Sequence, residues 1–140
     1  MVGDMMPDFP LPLSSGDTIM LSKRLGKRLT LVDIWAAWCA PCRKENKTVL
    51  APLWHDFGDK GFQIIGYSID NNGQSWKAAI AKDGATWLQA SHLTGDSTPF
   101  LEKLHISTIP ANFILDAEGR IVAKNLFGED LSEFVKTYLK

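Results

Sequence analysis

Two cysteines, Cys39 and Cys42, stand in the run Trp38-Cys39-Ala40-Pro41-Cys42, and the chain contains no others. At this spacing the sulfurs come within bonding reach when the segment opens a helix. The pair can then hold two electrons as thiols or release them by forming a disulfide. A disulfide closing so short a loop removes little entropy from the unfolded chain. Its value is therefore chemical.

A thiol attacks a disulfide only as thiolate, so such a site must lower a cysteine pKa. A helix N-terminus supplies unpaired N–H groups and the positive end of the dipole, both of which stabilise an anion. Cys39 falls at that position and is expected to be the exposed nucleophile. Pro41 lacks an N–H and suits the first helical turn. Cys42, one turn in, is expected to be the shielded resolving thiol.

Three other readings of the pair are weaker. Zinc needs more ligands than Cys39, Cys42 and His55, and His92 lies too far along the chain. Covalent haem needs a histidine after the second cysteine, where Arg43 stands. Two inert core cysteines would not call for an intervening proline at a helix start. No metal and no organic cofactor are expected.

Asp33 interrupts Leu29-Thr30-Leu31-Val32-Asp33-Ile34-Trp35, which is apolar on both alternating faces. Such a strand is covered on both sides, as in an α/β sheet. A carboxyl there is desolvated and its pKa raised, which fits it to take a proton from Cys42. The competing reading, an aspartate wetted at a frayed sheet edge, sits poorly with its apolar neighbours. Glu45, one turn after Cys42, shares its helix face. On residues alone it reads first as a solvated helix residue. Ile109-Pro110 precedes another strand, and general X-Pro statistics favour a trans bond there.

The elements needed to position these groups are readable. Residues 7–28, rich in Pro and Gly, form a small hairpin before the core. The helix opened by the cysteines is expected to run to about Phe57, ended by Gly58 and Gly61. A second buried strand covers 62–69 and a helix covers 75–82, stopped near Gly84. Another helix follows Thr98-Pro99, with Thr98 as cap. Residues 112–115 and 121–123 flank a turn at Gly119 as an antiparallel hairpin. Leu131, Phe134, Val135, Tyr138 and Leu139 mark the apolar face of a last helix. The order β-α-β-α-α-β-β-α implies an α/β fold with a mixed sheet and helices on both faces.

The chain has 140 residues, 45% hydrophobic and 22% charged, which suits one domain spanning 1–140. A net charge of -1 gives no field for nucleic acid or an acidic membrane. No apolar run is long enough to span a bilayer. Met1 to Met6 shows no basic region leading into an apolar stretch, so no signal peptide is read there.

The run Val32-Asp33-Ile34-Trp35-Ala36-Ala37-Trp38-Cys39-Ala40-Pro41-Cys42 closely resembles the active-site strand and helix start of thioredoxin-like proteins. The 1–28 extension, Cys42-Arg43-Lys44-Glu45 and the segment from Thr108 to Gly119 resemble the TlpA/ResA-like branch. The resemblance covers nearly the whole chain, and the AhpC/TSA peroxiredoxins are related to it. It implies a thioredoxin fold with an N-terminal β-hairpin extension. It implies Cys39 as nucleophile, Cys42 as resolver, and Asp33 and Glu45 as acidic partners of the thiols. It implies a cis Ile109-Pro110 turn facing the cysteines, with Trp38, Ala40, Pro41, Ile109 and Pro110 contacting a substrate chain. Two departures stand out. The family proline five residues after the second cysteine is Lys47 here, with Pro52 further on. The lysine that thioredoxins pair with the buried aspartate has no match near Gly66.

The function so implied is thiol-disulfide oxidoreduction, by analogy the reduction of partner proteins' disulfides. An upstream redox donor would supply electrons, and the protein would act as a monomer in an extracytoplasmic compartment, with a cytoplasmic one the alternative. A thiol peroxidase is a second reading, but the threonine and proline expected before its attacking cysteine are Ala36 and Val32. A third is a binding module whose disulfide merely rests in place. The intact motif argues against it.

Overall fold

The computed structural model describes residues 1–140. The N-terminal extension folds into β1 (Pro10–Pro12) and β2 (Thr18–Met20), paired antiparallel. The chain then enters β3 (Leu29–Trp35), which is buried along its whole length. A helical stretch follows as α1 (Ala40–Glu45), a π-helical segment (Asn46–Leu50) and α2 (Ala51–Phe57). Next come β4 (Phe62–Ser68), α3 (Gly73–Asp83), β5 (Leu88–Ser91) and α4 (Pro99–Lys103). The chain ends in β6 (Ala111–Asp116), β7 (Ile121–Lys124) and α5 (Gly128–Tyr138).

The main sheet has the order β5-β4-β3-β6-β7. The β3–β4 and β4–β5 pairs are parallel; β6 and β7 are antiparallel to their neighbours. The active-site strand is thus the middle strand, covered on both faces, which is why it lacks the apolar/polar alternation of a one-sided strand. Leu29 and Leu31 join Leu50, Leu53, Leu131 and Val135 in one core layer. Val32 and Ile34 point the other way and join Phe9, Leu11, Tyr67 and Phe100 in a second layer. There Phe100 stacks on both Phe9 and Tyr67, at 4.1 Å between ring centres in each case.

The N-terminal extension crosses the molecule from one sheet edge to the other. At the β7 edge, Gly3 N–H donates to Ile121 O at 2.8 Å and Ile121 N–H to Asp4 O at 2.9 Å. At the β5 edge, Ser14 N–H donates to Gln89 O at 3.0 Å. Between these anchors Phe9 and Leu11 are buried. Both strands that would otherwise present open edges therefore carry backbone bonds to the extension.

Two expectations need correction. The reading of the sequence leaves β5 without an element. This strand is only four residues long and carries Gln89 and Ser91, polar residues that nevertheless are buried. Gln89 accepts from Trp35 Nε1 at 3.2 Å and donates to Ala85 O at 3.3 Å, so tertiary bonds satisfy its amide. The helix from the cysteines is not uniform either. Pro52 has no N–H to give the carbonyl four residues back, and the chain answers with the wider π turn just before it. Ala51 N–H bonds Asn46 O, five residues back.

Candidate active site

The cysteines lie where β3 ends and α1 begins. Cys39 is the N-cap of α1, and its sulfur accepts the Cys42 N–H at 3.3 Å. Cys39 and Cys42 are joined as a disulfide with Cα atoms 5.3 Å apart. In the reduced pair the same N–H would face the Cys39 thiolate and favour its charge. Cys39 is not broadly exposed, contrary to expectation. It is 5% accessible and Cys42 1%, so the little access there is belongs to Cys39.

The peptide before Trp38 is held from both sides. Ala37 N–H donates to both Asp70 carboxylate oxygens, at 3.1 and 2.9 Å. Ala37 O accepts from Arg43 Nη1 at 3.0 Å, and Arg43 Nε donates to the buried Asp83 at 2.5 Å. Ser68 Oγ donates to Asp70 in turn. This clamp fixes the loop from which Trp38 projects, 68% exposed. Asp70 and Asp83 were not singled out by the sequence. Asp70 could have been found from its place just past the carboxyl end of β4, where open α/β sheets build their sites.

Asp33 is buried on β3, flanked in register by Gly66 on β4 and Asn112 on β6. No cation sits in the place of the missing lysine: a Cβ at Gly66 would come within 2.5 Å of Gln89 Oε1. Burial pushes the Asp33 pKa up to about 8, and the negative charge of Glu45 adds to the rise. Glu45 is itself half-buried, not solvated. It accepts Gly128 N–H at 2.9 Å, and burial raises its pKa too, against the lowering effect of that hydrogen bond. Asn112 ties β6 to the same corner: its Nδ2 donates to Leu126 O at 2.6 Å and its Oδ1 accepts Leu126 N–H at 3.2 Å.

The Ile109–Pro110 peptide is cis. Because β6 runs antiparallel to β3, with Ala111 opposite Ile34, this turn lies at the cysteine end of the sheet. Trp38 and Ile109 line one groove of about 870 Å³, floored by Ile69 and Thr98. Thr98 caps α4 and shares its hydroxyl with Tyr67 at 2.6 Å, which also meets His92 Nδ1. Ala40 lies on the other side of Trp38, and Pro41 and Pro110 line neither recess. The bonded pair thus follows the strand that buries Asp33 and adjoins Trp38, which lines the groove, in a fold that the family comparison identifies. The redoxin family model matches residues 1–137.

The chain belongs to the redoxin family.

Within this family it is of the thioredoxin-like TlpA/ResA/DsbE type. The thioredoxin domain of a thiol-disulfide oxidoreductase from Bacteroides vulgatus matches with a TM-score of 0.91, 34% identity and coverage of 100% of this chain and 99% of that one. Thiol-disulfide oxidoreductase ResA of Bacillus anthracis is 26% identical, over 99% of this chain and 77% of the relative. Thiol:disulfide interchange protein DsbE of Pseudomonas fluorescens biotype C is 30% identical, over 86% of this chain and 64% of the relative. A bonded cysteine pair at the strand-to-helix junction of this redoxin makes it a thiol-disulfide oxidoreductase, with the disulfide itself as redox group. No helix is long and apolar enough to cross a membrane.

Proposed function

We propose that the protein reduces disulfides in partner proteins, with Cys39 attacking and Cys42 resolving. The Cys39 thiolate attacks one sulfur of the partner's disulfide. A bond forms between Cys39 and that sulfur, and the partner's other sulfur leaves as thiolate and takes a proton from water. Cys42 then gives its proton to the Asp33 carboxylate and attacks the Cys39 sulfur. The Cys39–Cys42 bond forms, and the partner leaves fully reduced, carrying the two electrons. A dithiol donor reverses the enzyme's oxidation by the same exchange.

The observation that carries this reading is the bonded Cys39–Cys42 pair at the end of β3, the strand on which Asp33 is buried with its pKa raised to about 8. That value lies close to the ordinary thiol pKa, so proton transfer between Cys42 and Asp33 is nearly balanced in energy. A disulfide held only as a resting bond needs no such group. The Trp38–Ile109 groove suits a partner's extended chain, with Ala40, Pro41 and Pro110 around the reacting sulfurs and the Ile109 backbone as a strand-like partner. The kinship with ResA and DsbE supports an extracytoplasmic setting, and the enzyme is proposed to act as a monomer.

The test is insulin reduction with a dithiol donor, alongside two variants. Cys39→Ser should abolish turnover. Cys42→Ser should accumulate a mixed disulfide with the substrate, visible on non-reducing gels. Turnover by Cys39→Ser at the unmodified rate would overturn the assignment.

A further inference from the structure

Trp38 divides the surface around the disulfide into two sides of opposite charge. On the α1 side, Arg43, Lys44, Lys47 and Lys82 line a shallow ledge of about 600 Å³ with Trp38 and Ala40. Asp83 engages Arg43 and lies 4.0 Å from Lys47, whereas no carboxylate lies within 4.0 Å of Lys44 or Lys82. Two buried anions, Asp83 and Asp70, stand against four cations, so this side keeps a net positive charge. On the α4 side, the groove is lined by Asp96 and Glu102 and by no cation. Lys103, next along α4, is exposed but does not line it.

We infer that the enzyme selects the orientation of its partner by charge: the preferred disulfide-bearing segment is acidic on one side of its reactive cysteine and basic on the other. This rests on the reductase reading and adds to it which substrates are favoured. A segment lying across Trp38 puts its acidic arm over Lys44 and Lys82 and its basic arm over Asp96 and Glu102. Turned end for end, it meets like charge on both sides. Such exposed charges act mainly on encounter and register, and salt screens them.

Three synthetic peptides with a single cysteine each, prepared as symmetrical disulfides, test this. One carries two aspartates before the cysteine and two lysines after it; the second has the reverse order; the third has serines at those positions. At low salt one charged order should be reduced roughly three- to tenfold faster than the serine peptide, and the other correspondingly slower. The gap should close in 0.5 M salt. It should also shrink in the Lys44→Glu/Lys82→Glu protein and in Asp96→Asn/Glu102→Gln, with each charged peptide's rate taken relative to the same protein's rate on the serine peptide. Equal rates for the two charged orders at low salt would overturn the inference while leaving the reductase intact. Failure to reduce any of the three would remove the reductase reading and the orientation rule together.

Discussion

Gly128 donates its backbone N–H to Glu45 at 2.9 Å, joining the first residue of α5 to the helix that carries Cys42. The bond fixes the Glu45 carboxylate where its charge raises the Asp33 pKa. A glutamine keeps an acceptor for Gly128 but removes the charge. Glu45→Gln should therefore lower the Asp33 pKa from about 8 and move the pH midpoint of mixed-disulfide resolution downward. Stopped-flow resolution rates across pH 5–10 would read this; an unmoved midpoint would contradict the coupling.

Replacing Asp33 with asparagine should slow Cys42 attack on the mixed disulfide roughly 100-fold, the usual size of a lost proton acceptor. Formation of the mixed disulfide by Cys39 should change far less. Single-turnover kinetics separate the two steps, and equal slowing of both would argue for a structural role.

Asp33 also makes stability depend on pH. Its carboxyl releases the proton near 3.8 when unfolded but only at about 8 when folded. The folded chain thus binds more protons between those values, and stability falls as pH rises from about 4 to 8. The full difference corresponds to about 6 kcal/mol, an upper bound reached above pH 8. Urea titrations should show Asp33→Asn gaining on the unmodified protein from pH 5 to pH 9. Parallel pH curves for the two would refute the burial argument.

Arg43 and Asp83 form a pair with Asp83 fully buried and Arg43 mostly so. Arg43→Met leaves the Asp83 carboxylate with the Asn46 amide and a Lys47 too distant to hydrogen-bond it. The expected cost is about 3–5 kcal/mol. Arg43→Met/Asp83→Leu should recover most of it, so a double-mutant cycle by chemical denaturation gives a direct check. A double variant no better than the single one would mean the pair is not what the site depends on.

Trp38 is mostly exposed, so Trp38→Ala should change stability by no more than about 0.5 kcal/mol. Its loss should still lower kcat/KM for insulin roughly tenfold if the groove receives the partner chain. A drop in melting temperature matching the loss of activity would instead place Trp38 in the fold.

Much of the site is legible in the sequence because its chemistry is local. The cysteine spacing, Pro41 and the apolar β3 fix a helix start, an anion-binding end and a buried Asp33 from neighbours in sequence. Glu45 reads as solvated on residues alone, because its hydrogen-bond partner, the Gly128 N–H, is distant in the chain. Asp70 and Asp83 escaped for the same reason: their roles are hydrogen bonds to Ala37 and Arg43, which only tertiary packing creates. β5 was missed because Gln89 looks polar until Trp35 and Ala85 satisfy it. The π turn was half legible, since Pro52 showed that the backbone pattern must break but not how.

The N-terminal extension has a bearing on the company such an enzyme keeps. A protein that reduces disulfides meets chains that are partly unfolded, and these readily add as strands to any open sheet. Here backbone bonds from Gly3, Asp4 and Ser14 already occupy positions on β7 and β5. The turn at Ile109, at the cysteine end of the sheet, lies outside these bonded positions. Where the extension is bonded, the two rims of the sheet have fewer free N–H and C=O groups to offer any other chain.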